Sequence, residues 1–162
     1  MRRPSDEAQI HPAGLLDAPL IAAMQNTCFP DEQWSQQAVQ SLMQHSGCIA
    51  WIATGRAFGE TMPQGYVLAR AAADELEIQS LAVLEEARGN GLGTELLEAA
   101  IDRARPKGAR RVHLEVAADN TAALHIYTKA GFTETGRRPG YYQRRDGSRI
   151  EAVCLARDVD AG

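Results

Sequence analysis

From Leu92 onward the apolar side chains fall at Leu92, Leu96, Leu97, Ala100, Ile101 and Ala104, one stripe of a helix that Pro106 and Gly108 bring to an end. Two further helices are predicted nearer the start, over 16–29 with Asp17 as its N-cap and over 34–44, with the turn "FPDEQ" between them. Two β-like runs follow, "CIAWIAT" (48–54) and "GYVLARAA" (65–72). The segment joining them contains Gly55, Gly59, Pro63 and Gly65, so the pair reads as a hairpin. Residues 75–84 alternate Leu76, Ile78 and Ser80 against Glu75, Glu77 and Gln79, then turn apolar on both faces at Leu81, Ala82 and Val83, which predicts a strand with a buried C-terminal half. Over 110–116, Val112, Leu114 and Val116 share one strand face and Glu115 points the other way. A short helix over 120–132 is capped by Asp119 or Asn120 and ended by Gly131, and "EAVCLARDV" closes the chain as a strand.

This order of elements predicts an α/β (α+β) fold: one mixed sheet with helices on both faces, rather than a doubly wound βαβα repeat. Its 162 residues and 44% hydrophobic content suit a single domain, 1–162, with a core that needs neither disulfide nor metal. The net charge of −4 argues against nucleic acid or an anionic membrane as a partner and suits a cationic one. Cys28, Cys48 and Cys154 are odd in number and far apart, and they read as reduced core residues. "MRRPSDEAQI" lacks an apolar segment, and the expected location is the cytoplasm.

The least helix-favouring residue recurs at Gly89, Gly91 and Gly93, immediately ahead of a helix. A strand, a glycine turn and a helix N-terminus together present unpaired N–H groups and the positive end of a dipole, which is an anion site. The dinucleotide fingerprint G-x-G-x-x-G fits Gly89 and Gly91 but meets Thr94 where it needs glycine. The string G-x-x-x-x-G-K-[ST] of nucleotide triphosphate loops does not occur. What fits is [Q/R]-x-x-G-x-G, read as Arg88, Gly91 and Gly93. The alternative is a turn that only swings the chain from strand to helix.

Downstream, in "LEVAADNTAALHIYTKAGF", Glu115 sits on a strand, Asn120 opens a helix, and Tyr127 lies two turns on, on the same face. "SLAV", "RGNGLG", "LEV" with Asn120 five residues after Glu115, "IYTKAGF", "RRPGYY" followed by "DG", and "FPDEQWS" near the start together resemble the GNAT family of acetyl-CoA-dependent N-acetyltransferases. Within that family the likeness is to the RimI-type ribosomal-protein-alanine enzymes, and it covers about three quarters of the chain.

The resemblance implies a mostly antiparallel sheet with a splayed strand pair. Acetyl-CoA lies there as co-substrate, its pantetheine against the backbone of Leu81, Ala82 and Val83. Its pyrophosphate meets the N–H groups of Arg88, Gly89, Asn90, Gly91, Leu92, Gly93 and Thr94, and the Arg88 side chain adds a charge-assisted bond. Glu115 corresponds to the family's proton acceptor, directly or through water, and Tyr127 to its proton donor toward the coenzyme A thiolate. Asn120 bonds the coenzyme, caps its helix, or both. The four histidines His11, His45, His113 and His125 lack metal-ligand spacing, and no metal is expected; His113 shares the face of Glu115.

The acceptor implied is the N-terminal amine of a basic ribosomal protein, in a groove holding Trp34, Tyr141 and Tyr142. The protein is expected to act as a monomer or weak dimer. Two alternatives stay open: a GNAT enzyme acting on a small amine such as an amino sugar, polyamine or amino acid, and a module that binds acetyl-CoA as a sensed ligand without turning it over.

Overall fold

The computed structural model describes residues 8–160; the opening arginines of "MRRPSDEAQI" lie outside the described residues. Seven strands, β1 (Gln9–Pro12), β2 (Cys48–Ala57), β3 (Glu60–Ala72), β4 (Glu75–Val83), β5 (Arg111–Ala117), β6 (Thr133–Gln143) and β7 (Arg149–Asp158), form one sheet in the order β1-β2-β3-β4-β5-β7-β6. Every pair is antiparallel except β4 with β5. Helices α1 (Ala18–Cys28) and α2 (Gln36–Met43) pack on one face; α3 (Leu92–Ala104) and α4 (Thr121–Lys129) pack on the other.

The apolar stripe of α3 settles on the sheet as its spacing predicts. Leu96, Leu97 and Ile101 are fully buried against Val67, Leu76 and Val112. Burying each large aliphatic side chain stabilises the fold by roughly 1.5–3 kcal/mol. On the opposite face Ile21 and Val39 of the first two helices cover Ile52, Tyr66 and Leu68. Ser35 caps α2 by accepting the Ala38 N–H, whereas Asp17 stands at the N-cap position of α1 but accepts the Gly14 N–H instead.

Several elements differ from the sequence expectation. Strand β1 has no alternating pattern to reveal it: it is four residues at the sheet edge and ends in Pro12. The β2–β3 hairpin is longer than its Gly and Pro content predicts, because a register shift between Ala53 and Thr54 leaves Gln64 outside the pairing and lets Gly55 and Pro63 stay in the ladder.

The most consequential difference lies in β4. Leu68 pairs with Ser80 but Ala69 pairs with Ile78, so Gln79 is an extra residue, a β-bulge. A one-residue slip moves a strand's side chains to the other face. Ser80 therefore does not continue the face of Leu76 and Ile78. It joins Tyr66 on the α1 side, while Leu81 and Val83 turn toward α3.

Strands β4 and β5 pair only at Glu75–Arg111, Leu76–Val112 and Glu77–His113. Beyond that point β5 keeps pairing with β7 as far as Ala117, while β4 stays with β3 as far as Val83. The sheet is thus open between the C-terminal halves of β4 and β5.

Candidate active site

The open seam leaves particular backbone groups free. Leu84 donates its N–H to Gln64 O, so along an antiparallel ladder Ala82 also directs its N–H and C=O toward β3. Leu81 and Val83 direct theirs into the seam. Of the three residues expected to pair with pantetheine, Ala82 is already committed to β3 and the Val83 carbonyl accepts from Arg88, so Leu81 keeps both its groups open.

Beyond Val83 a short 3-10 turn leads to the glycine run and α3. Gly89 and Gly91 hold φ of +83° and +79°, a left-handed conformation that side chains disfavour, and a Cβ at either would meet open space. Gly93 is different. It lies inside α3, and a Cβ there would sit at ordinary contact distance from Val83 and Leu81, 3.7 and 3.8 Å, so it faces the sheet rather than an anion.

Gly91 is the N-cap of α3 and supplies no side-chain hydrogen bond; the first intrahelical bond is Glu95 N–H to Gly91 O. The N–H groups of Leu92, Gly93 and Thr94 therefore have no partner within the helix. By contrast α4 is capped, because Asn120 accepts the Ala123 N–H at 3.2 Å. Arg88 folds back and donates from Nε to Val83 O at 2.8 Å, at the mouth of the seam.

The seam widens into a cleft of about 670 Å3 that is lined from both faces of the sheet. Leu81, Glu115, Asn120 and Tyr127 line it, and so do Trp34, Tyr141 and Tyr142. Residues distant in sequence meet here because β5 alternates. Val112, Leu114 and Val116 are buried in the core with α3 and α4, so His113 and Glu115 take the opposite face of β5, and all but Val112 of these also line the cleft.

Glu115 is partly buried, and Oε1 accepts from Arg138 Nε at 2.7 Å, with Cys154 Sγ 3.9 Å away. Tyr127 is almost fully buried, its ring edge-on to Phe132, and burial pushes its phenol up to about 12. His113 lies 3.5 Å from Glu75. The half-buried Glu32 carboxyl is pushed up by desolvation, and the Tyr141 phenol is raised chiefly by the charge of Glu115.

Three features of this site had no signal in the sequence. Arg138 reaches Glu115 across the β5–β7–β6 ladder. Gln25 Oε1 accepts from Tyr66 at 2.5 Å and Ser80 at 2.6 Å, all three groups buried, and Gln25 Nε2 donates to Glu32 O. At the tip of the β6–β7 hairpin, the Arg145 backbone N–H and guanidinium engage Asp31 and Pro30 O, while Arg144 pairs with Asp119 at 2.6 Å. The hairpin is thereby tied to the turn after α1 and to the turn after β5.

The sequence model of the acetyltransferase (GNAT) family matches residues 19–132, more than half of the chain. The chain belongs to the GNAT family. A bS18-alanine N-acetyltransferase of Escherichia coli strain K12 is 35% identical over 91 residues, which are 56% of this chain and 61% of that protein. N-alpha-acetyltransferase 30 of Schizosaccharomyces pombe is 38% identical over 65 residues, 40% of this chain and 43% of that protein. In sequence the chain thus spans about three fifths or less of these relatives.

The structural likeness runs further. The crystal structure of the E. coli ribosomal-protein-S18-alanine N-acetyltransferase superposes with a TM-score of 0.83 at 26% identity, covering 96% of each chain. Arabidopsis thaliana NAA60, solved in complex with acetyl-CoA, shares the GNAT fold at a TM-score of 0.83 and 18% identity, covering 94% of this chain and 99% of its own. The mixed sheet with helices on both faces, expected from the order of elements, is the fold of these GNAT structures.

Proposed function

We propose that this protein transfers the acetyl group of acetyl-CoA to a primary amine, the N-terminal α-amine of a protein, in the cleft between β4 and β5. One observation carries the reading. A seam with free strand backbone at Leu81, its mouth closed by Arg88 on Val83 O, runs from an uncapped helix N-terminus to a cleft that contains both Glu115 and Tyr127.

The residues fit acetyl-CoA. Leu81, and the N–H of Val83, offer a strand edge to the amides of pantetheine, and the N–H groups at the start of α3, with Gly89 and Gly91 bare of side chains beside them, suit a diphosphate. When bound there, acetyl-CoA supplies an activated thioester.

An α-amine with an ordinary pKa of about 7.7–8.0 is mostly protonated at pH 7 and must lose a proton to attack. Of the three cleft carboxylates, Glu32, Glu77 and Glu115, Glu115 matches the family's proton acceptor and takes that role, directly or through a water. Tyr127 keeps its proton far above neutral pH. A phenol near 12 is a weaker acid than a thiol of about 8.5, so its hydroxyl serves the departing sulfur chiefly as a hydrogen-bond donor, and complete transfer is uphill. Trp34, Tyr141 and Tyr142 form the wall toward the acceptor. The E. coli and S. pombe relatives, a ribosomal-protein-alanine N-acetyltransferase and an N-alpha-acetyltransferase, favour a protein N-terminus.

The test is release of coenzyme A thiol from acetyl-CoA with a basic peptide beginning with Ala, with the same peptide blocked at its N-terminus, and with a panel of small amines. Release that needs the free N-terminus and falls at least tenfold in Glu115→Gln supports the reading. Release with small amines alone removes the protein acceptor. Tight acetyl-CoA binding without release on any amine replaces turnover with sensing.

A further inference from the structure

The charged partner of Glu115 is an arginine of the chain itself. Arg138 sits on β6 opposite Ala152, while Tyr142 sits opposite Ile150, so Pro139, Gly140 and Tyr141 together face the single residue Glu151. This bulge brings Arg138 and Tyr141 both to the cleft wall. The Arg138 Nε lies 2.7 Å from Glu115 Oε1, the distance of a charge-assisted hydrogen bond. Arg138 is the one permanently cationic side chain among the described residues lining the cleft.

The two partners are unequally anchored. Glu115 is fixed on a central strand with its side chain 26% exposed, whereas the Arg138 side chain is 59% exposed. The guanidinium also lies over the Tyr141 ring, 5.5 Å from its centroid, so it has a second contact to keep when it leaves the carboxylate. Ion pairs this exposed hold weakly. An acceptor amine reaching Glu115 arrives as an ammonium, and two cations do not share one carboxylate oxygen without repulsion.

We propose that Arg138 is an internal stand-in for the acceptor: its guanidinium fills the place at Glu115 that the acceptor ammonium takes, and binding is an exchange of one cation for the other. The proposal rests on the reading of Glu115 as the carboxylate that receives the amine. It assigns Arg138 a role in acceptor affinity, set against the alternative in which Arg138 merely orients Glu115.

The experiment compares wild type, Arg138→Gln and Arg138→Lys, measuring kcat and KM for an Ala-initiated hexapeptide and, by calorimetry with coenzyme A present, the peptide Kd. Losing a competitor bound by a weak exposed pair lowers KM and Kd by about two- to fivefold in Arg138→Gln and raises kcat/KM by the same factor. Arg138→Lys restores the competition. Guanidinium chloride well below denaturing concentration, against sodium chloride at equal ionic strength, weakens peptide binding by a larger factor in Arg138→Gln than in wild type. A purely structural role gives no such selective competition.

A tenfold fall in kcat at unchanged KM in Arg138→Gln overturns the proposal in favour of an orienting role. Unchanged Kd without guanidinium competition, or no peptide binding by either protein, overturns it as well. The calorimetric arms read the exchange without turnover. Absence of acetyl transfer in every variant, with the Kd response intact, therefore counts against the acetyltransferase reading and leaves the cation exchange supported.

Discussion

Replacing Tyr127 by Phe separates a proton held by burial from one held by the phenol's ordinary chemistry. The hydroxyl is buried, and desolvation moves its pKa from about 10 up to about 12. Below pH 10 the folded and unfolded chains both carry this proton, and the group contributes no pH dependence. Between pH 10 and 12 the unfolded chain releases it while the folded chain retains it, so stability falls as pH rises, by about 1.4 kcal/mol per pH unit and about 3 kcal/mol in all. Tyr127→Phe removes that slope and keeps the ring's edge contact with Phe132.

Tyr66 and Tyr142 are raised by the same cause, so the difference between wild type and variant, rather than the wild-type curve alone, isolates Tyr127. The assay is urea unfolding of both proteins in steps from pH 8 to 11.5, paired with phenolate absorbance of the folded protein. Wild type should lose its extra stability only above pH 10. Parallel stability curves across that range, or a Tyr127 phenolate appearing near pH 10 in the folded protein, refute the burial argument and with it the reading of this hydroxyl as a retained donor.

Three other expectations concern packing. Gly91→Ala forces a Cβ onto a left-handed backbone and should cost about 1–2 kcal/mol, a fall in melting midpoint of about 2–8 °C, while Gly93→Ala should be neutral or stabilising by up to about 1 kcal/mol because its Cβ meets only ordinary contacts; calorimetry reads both. Tyr66→Phe removes the phenol's hydrogen bond to Gln25 and its contact with the Ser80 hydroxyl but leaves Ser80 donating to Gln25, so unfolding should show a loss of about 1–2 kcal/mol rather than collapse. Asp31→Ala unties the β6–β7 hairpin tip: stability should change by no more than about 1 kcal/mol, while amide exchange at Arg145 quickens, as followed by NMR.

Much of this fold was legible because its elements bury one face each. The stripe of α3 and the alternation of β5 are direct records of burial, and the position of Glu115 on the opposite face of β5 follows from Val112, Leu114 and Val116 facing the core. The glycine run was legible as a loop but not in its division of labour. Backbone angles make Gly89 and Gly91 turn residues, and only packing distinguishes Gly93.

What was illegible depends on register. The alternation of 75–84 continues unbroken through Ser80, yet the extra residue Gln79 transfers Ser80 to the opposite face, where it completes the network with Tyr66 and Gln25. Nothing in a single strand's sequence records the offset of its neighbour. The Arg138–Glu115 pair has the same origin, since it follows from the β5–β7 and β7–β6 registers together with the bulge after Arg138. The four-residue β1, with no alternation, gave the pattern nothing to detect.

The central claim is that the cleft joins acetyl-CoA to an amine through Glu115. Its most direct test is tandem mass spectrometry of an Ala-initiated peptide after incubation with the protein and acetyl-CoA, alongside Glu115→Gln at equal concentration. The account predicts one acetyl group on the α-nitrogen, with the rate at least tenfold lower in the variant. An unmodified peptide under conditions where acetyl-CoA binds, or equal acetylation by wild type and variant, contradicts it.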